Sequence, residues 1–337
     1  MKEVFKVKKN LFQVISLMIL LSFFIVFMTV SCKTVPVETK ETETSISETT
    51  SADTTSTEVA ASESTSETGL TKTTTNTTST PALEDYKAEC IRTDYYKGLD
   101  SILEGFKLDS YKCVYLSEGT VVWVVKSQAP EEYIAEGKKS EEAIRKLEKY
   151  LNTSIRDNFN GEEKVHFFYG STGAAFTPLA HYTKPVIFMP TSSDYYSFHA
   201  YMHELTHVLT LRSQDAYYYG WAVEGLAVYL NDKLGGGASY PNFGEDIDQM
   251  ASKYLNNTDT LEKIGDEKYY QYTIDDGFYS LSGSFIKYMV EKIGIEPFMK
   301  IYHDADMQKA MKEVTKKNIQ EWKSEWISYL SSLPEEG

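Results

Sequence analysis

The sequence predicts an α+β domain, with a small sheet in its N-terminal part and a mainly helical C-terminal half. Three observations carry this expectation. Short β-branched and aromatic runs bounded by turn formers or prolines recur between residues 111 and 190. Beyond them, and in one stretch between them, apolar residues return at helical spacing. Residues 1 to 82 differ in composition from everything that follows and divide into two segments of their own.

The first of these is residues 1–32. Four lysines lie within the first ten residues, and the run from Leu11 to Val30 carries no charge. A basic start followed by an apolar stretch is the layout of a secretion signal. The run ends in Thr29-Val30-Ser31-Cys32, which resembles the lipobox of bacterial lipoproteins and makes Cys32 the expected lipid attachment site. Left uncleaved, about 20 apolar residues would suffice to span a bilayer as a helix. Either anchor places the remainder at the extracellular face of the membrane. Residues 33–82 are about half serine and threonine with almost nothing apolar. Such a segment cannot bury enough surface to offset its ordering entropy, so a disordered stalk is expected, about 40 Å in reach as a flexible coil.

Residues 83–337 are rich in tyrosine, phenylalanine and isoleucine, enough for a substantial core. The chain carries a net charge of −15 with no compensating basic stripe in this part, which argues against nucleic acid as a partner. Of the three cysteines, Cys90 and Cys113 remain once Cys32 is set aside. In an oxidising compartment they form a disulfide or stay as two buried thiols; their spacing is not that of a zinc finger.

In order, residues 83–104 read as a helical or mixed lead-in. Tyr111 to Lys126 reads as a hairpin, YKCVYL and TVVWVVK joined by the turn-like SEG. From Ala129 to Asn152, the apolar positions Ile134, Ala143, Ile144, Leu147 and Leu151 follow helical periodicity. Strands KVHFFYG (Lys164 to Gly170) and KPVIFMP (Lys184 to Pro190) come next, then a helix from about Tyr195 to Leu211.

That helix contains YMHELTHVLT. Residues i and i+4 lie on one helix face, so His203 and His207 can converge on one metal ion, while Glu204, about 100° round the axis, reaches a metal-bound water instead. Chance produces HExxH in roughly one such sequence in a hundred, so a third ligand decides its weight. His199 continues the series, but eight residues of helix span about 12 Å, too far for three rings to share an ion; it reads as structural or cleft-lining. Glu224, in GWAVEGLAVYL, is a charge among Trp221, Val223, Leu226, Ala227 and Leu230 on an expected second helix packed antiparallel to the first. A buried carboxylate needs a partner, and a metal ion supplies one.

HELTH followed by WAVEGLA resembles the gluzincin metallopeptidases, specifically the peptidase-MA-like group. Tyr279 to Phe285 with the following IKYMVEKIG, and the closing NIQEWKSEWISYL, extend the likeness over roughly residues 110 to 332. The resemblance implies a zincin-like metallopeptidase domain with zinc held by His203, His207 and Glu224. It makes Glu204 the general base and proton carrier to the leaving amine, and Tyr279 the hydrogen-bond donor to the oxyanion. Tyr279 also has a plain reading as one core tyrosine among twenty-five; His303 is the reserve candidate. The strand Val186 to Met189 matches the sheet edge that the family offers to an extended peptide.

Two departures matter. The glycine-rich anchor by which aminopeptidases of the wider group hold a free amino terminus is missing, which leaves endopeptidase action by elimination. Val228 stands where thermolysin-like enzymes have an aspartate, so the groups orienting the histidines are unassigned, with Asn231, Asp232 and Asp215 as the candidates. The tyrosine runs Tyr195-Tyr196, Tyr217 to Tyr219 and Tyr269-Tyr270 either line a cleft or are half-buried packing. The expected activity is thus that of a membrane-tethered extracellular zinc peptidase acting on peptide or protein. A catalytically silent binding or adhesin module on the same scaffold, and a zinc hydrolase of cell-wall amides, are the alternatives.

Overall fold

In the computed structural model, which describes residues 80–334 apart from 102, 104–105, 171–174, 179–183, 192–198, 211–218, 238–243 and 266–276, the apolar runs form one four-stranded sheet. Strands β1 (Tyr111–Leu116) and β2 (Thr120–Val125) make the expected antiparallel hairpin, with a register irregularity between Cys113 and Tyr115. β3 (Val165–Tyr169) pairs parallel to β2, and β4 (Val186–Met189) parallel to β3. Parallel neighbours require a crossover. Between β2 and β3 it is made by helix α2 (Glu131–Leu151), closed by Asn152 in the left-handed conformation, and the short α3 (Ile155–Asn158).

The strands are apolar at nearly every position because both faces of the sheet are covered. Val122, Val124, Phe167, Tyr169, Ile187 and Met189 face the main core, shared with α2 and the C-terminal helices. Their alternates Val121, Trp123, Phe168, Val186 and Phe188 face a second cluster with Cys90, Tyr96 and Leu99, contributed by helix α1 (Thr80–Arg92) and the turns after it. Cys90 and Cys113 are both buried free thiols, so of the two expectations for this pair the structure contains the unbridged one. Burial pushes the Cys113 thiol up to about 12. At the centre of this cluster lies His166, fully buried. The Trp123 indole, which can only donate, reaches its Nδ1 at 3.4 Å, and the Tyr96 hydroxyl bonds the same nitrogen. Its proton therefore sits on Nε2, facing the Tyr86 hydroxyl at 3.4 Å. Burial, reinforced by Lys164 and Lys184, drives its pKa down to about 3.

The C-terminal half is helical: α4 (Tyr201–Thr210), α5 (Gly220–Lys233), α6 (Ile247–Ser252), α7 (Thr258–Lys263), α8 (Phe278–Ile293), α9 (Ile295–Tyr302), α10 (Met307–Thr315) and α11 (Ile319–Ser331). α11 opens on a full capping box between Asn318 and Glu321. The buried Asp248 of α6 ties three helices together. Ser284 Oγ of α8 donates to one of its oxygens at 2.7 Å, while Tyr329 of α11 donates to the other at 2.8 Å, where Lys287 also pairs at 2.8 Å. Trp326 Nε1 completes the network on Ser284 at 2.9 Å. α5 and α8 approach through glycine on both sides. A Cβ on Gly225 would fall 2.6 Å from Ser282 O, and one on Gly283 would fall 2.4 Å from Val228 Cγ1.

Three expectations shift. α4 begins at Tyr201 rather than near Tyr195; residues 199–200 are a turn, and 192–198 lie outside the described residues. α1 spans Thr80–Arg92, so residues 80–82, expected at the end of the stalk, are helical. β4 is the last strand of the sheet, but its outer edge is not bare: Phe176 N–H donates to Phe188 O at 2.9 Å and Phe188 N–H to Phe176 O at 3.0 Å. The expected anchor, residues 1–32, and the expected stalk as far as residue 79 lie outside the described residues. Among the described residues, no helix is long and apolar enough to cross a membrane.

Candidate metal centre

α4 is buried along its whole length, all ten residues of it, packed against α2, α5 and β4. Its two threonines donate their hydroxyls within the helix, Thr206 to Met202 O at 2.9 Å and Thr210 to Thr206 O at 2.7 Å, and the Tyr302 hydroxyl lies 3.4 Å from Thr210 Oγ1. One face of α4 presents His203 and His207, one turn apart, to α5. There Glu224 follows Trp221 and Ala222, both buried, into the interface.

The three side chains meet. His203 Nε2 lies 3.1 Å from Glu224 Oε2 and 3.2 Å from His207 Nε2, and His207 Nε2 lies 3.5 Å from the same carboxylate oxygen. Three lone-pair-bearing atoms this close repel one another unless a proton or a metal ion sits among them. Donors about 2.1 Å from a tetrahedral metal ion are themselves about 3.4 Å apart, so the triangle matches three corners of such a site. The chemistry matches too, two imidazoles and a carboxylate being a donor set that zinc takes. Burial disfavours charge on Glu224, but His207 and hydrogen bonds from both imidazoles outweigh it and hold the carboxyl well below the usual range. For His207, burial pulls the pKa down, while Glu224 foremost and then Glu204 pull harder and raise it.

Glu204 is buried beside this triangle and outside it. Its Oε2 accepts a hydrogen bond from Thr177 Oγ1 at 2.7 Å. Tyr279, at the start of α8, is half-buried with its ring centroid 6.2 Å from that of His203. The structure thus gathers His203, Glu204, His207, Glu224 and Tyr279, contributed by two successive helices and a third farther along the chain.

It does not gather the others. His199 turns to α2, its Nδ1 3.3 Å from the buried Glu136, in keeping with a structural role. His303 lies at the far end of α4, its Nε2 3.1 Å from Thr210 O, beside a cavity of about 280 Å³ lined by Leu151, Leu209 and Met299. It therefore caps a helix end and is not a substitute for Tyr279. Buried His207 Nδ1 has no partner among the described residues, so neither Asn231 nor Asp232 orients that ring through Nδ1. Asn231 donates to Gly237 O at 3.1 Å instead, and Asp215 lies outside the described residues. Of the tyrosine runs only Tyr219 is described, and it is buried. Thr177 was not visible in the sequence: a threonine in a loop beside a proline carries no signal of a carboxylate partner remote along the chain.

No protein-family model matches this chain, and no curated protein matches it in sequence.

Proposed function

We propose that this chain is a zinc-dependent peptidase of the gluzincin type, tethered outside the cell by its N-terminal segment, that hydrolyses internal peptide bonds of protein substrates. The observation that carries the reading is the donor triangle of His203, His207 and Glu224, with Glu204 adjoining it but outside the ligand set. A purely structural metal site closes its coordination with protein donors and has no use for a neighbouring carboxylate base.

His203 and His207 would hold the ion through Nε2 and Glu224 through its carboxylate. When bound, zinc supplies Lewis-acid activation of a water and of the scissile carbonyl. Glu204 takes a proton from the attacking water and returns it to the departing amine nitrogen, so that the amine leaves neutral. Tyr279, half-buried beside His203, donates its hydroxyl hydrogen to the carbonyl oxygen as negative charge develops there. The interior position of α4 fixes these groups before substrate arrives, which lowers the reorganisation needed during reaction.

The test is metal content and proteolysis of the purified wild-type chain and Glu204→Gln in parallel. One zinc per chain in both, with cleavage of a mixed peptide library by wild type alone, is the expected result. Zinc in both with no cleavage by either would replace this reading with a binding module. Release of cell-wall fragments without peptide cleavage would redirect it to wall amides.

A further inference from the structure

We propose that Thr177 is a positioning residue for Glu204, holding one oxygen of its carboxylate so that the other faces the reacting water; the inference rests on the peptidase reading above. Glu204 is buried, and a buried carboxylate without donors is costly. Among the described residues, its side chain receives one hydrogen bond, from Thr177 Oγ1 to Oε2 at 2.7 Å. The hydroxyl has a second acceptor within range, Glu204 O at 3.3 Å, but the shorter bond to a charged oxygen takes the single hydrogen. Oε1 is left without a protein donor among the described residues.

Thr177 is itself held. Its neighbour Phe176 is fixed to β4 by the reciprocal backbone pair with Phe188, and the two phenylalanine rings stack at 4.9 Å between centroids. The hydroxyl is thus referenced to the sheet, whereas the carboxylate it holds rides on α4. A glutamate has three side-chain torsions, and unrestrained it would sweep its carboxylate through several orientations. The bond from the sheet side selects one of them. The segment also covers β4 at Phe188, where an added strand would otherwise pair.

The experiment compares wild type, Thr177→Val, which keeps the shape and loses the hydroxyl, and Thr177→Ser, which keeps the hydroxyl. Zinc content, kcat and KM on a cleaved peptide, and crystal structures of the metal-free proteins are measured for each. Thr177→Val is expected to keep its zinc and its KM within about twofold, to lose roughly ten- to a hundredfold in kcat, and to show the Glu204 carboxylate turned away. Thr177→Ser is expected to return both the rate and the carboxylate position. An unmoved Glu204 in Thr177→Val, a wild-type kcat in that variant, or a loss that serine does not recover would overturn the proposal. If wild type shows no Glu204-dependent cleavage, the peptidase reading falls, and the metal-free crystal structures still decide whether Thr177 holds Glu204.

Discussion

Replacing Gly225 with alanine places a methyl group between the two helices that carry Glu224 and Tyr279. The added Cβ would lie 2.6 Å from Ser282 O, 2.7 Å from Ile286 Cγ1 and 2.8 Å from Ser282 C. Ile286 can rotate away, but the Ser282 carbonyl is backbone and moves only with α8. Restoring an ordinary contact of 3.4 Å from 2.6 Å requires α8 to retreat by about 0.8 Å. Overpacking of this kind costs about 1–3 kcal/mol, at the upper end where backbone is the obstacle. Alanine in place of glycine inside a helix returns about 1 kcal/mol. The expected net loss is about 2 kcal/mol, or roughly 4–8 °C in Tm for a domain of this size, read by calorimetry on the metal-free chain. The proposed metal ligands lie on α4 and α5, whereas the retreating helix carries Tyr279. Zinc content should therefore hold while peptide cleavage falls roughly ten- to a hundredfold, as misplacements near 1 Å do. An unchanged or higher Tm, or zinc lost in step with activity, would refute the claim that this glycine contact sets the spacing of α8.

Two further outcomes test the frame around the site. His166 is neutral in the folded protein, its pKa pushed down to about 3. Because the folded value lies below the unfolded one, its contribution is complete above about pH 6.5 and is lost as pH falls toward 3, by up to about 1.4 kcal/mol per unit. Wild type should thus lose about 2 kcal/mol more than His166→Gln between pH 6.5 and 5 in urea titrations; equal losses would show that the ring is not held neutral. Asp248→Ala strands Lys287, Ser284 and Tyr329 at once. Lys287 keeps Asp246 at 3.2 Å, so the cost falls at the lower end for a broken buried pair, about 3 kcal/mol. Zinc content should not change, and a stability loss under about 1 kcal/mol would mean the network contributes little.

What the sequence made legible was whatever declares itself by period or by dense local chemistry. The hairpin, α2, α4 and α5 follow from alternating or helical apolar spacing, and Glu224 stands out as a charge inside an apolar helix. The rest is set by contacts between segments far apart in the chain. Thr177 reaches Glu204 across twenty-seven positions, and nothing in its own neighbourhood requires it. The outer edge of β4 looked available because Phe176, its partner, sits in a stretch without strand periodicity. α4 starts later than expected because apolar periodicity alone does not mark a helix start, and His199, which continues the histidine spacing, instead turns to Glu136. Gly225 and Gly283 read as ordinary small residues until the helices they join are placed against each other.

α4 has no solvent-facing side. The residues that would bind metal and move protons alternate along it with Leu205, Val208 and Leu209, which join the sheet to the helical half. A substitution that adjusts reactivity here also alters the seam between the two halves, and one that loosens the seam displaces the donors. Reactivity and foldability are therefore inherited as one trait. Substitutions that spare both must fall off this helix, and even there Thr177 is constrained by its bond to Glu204.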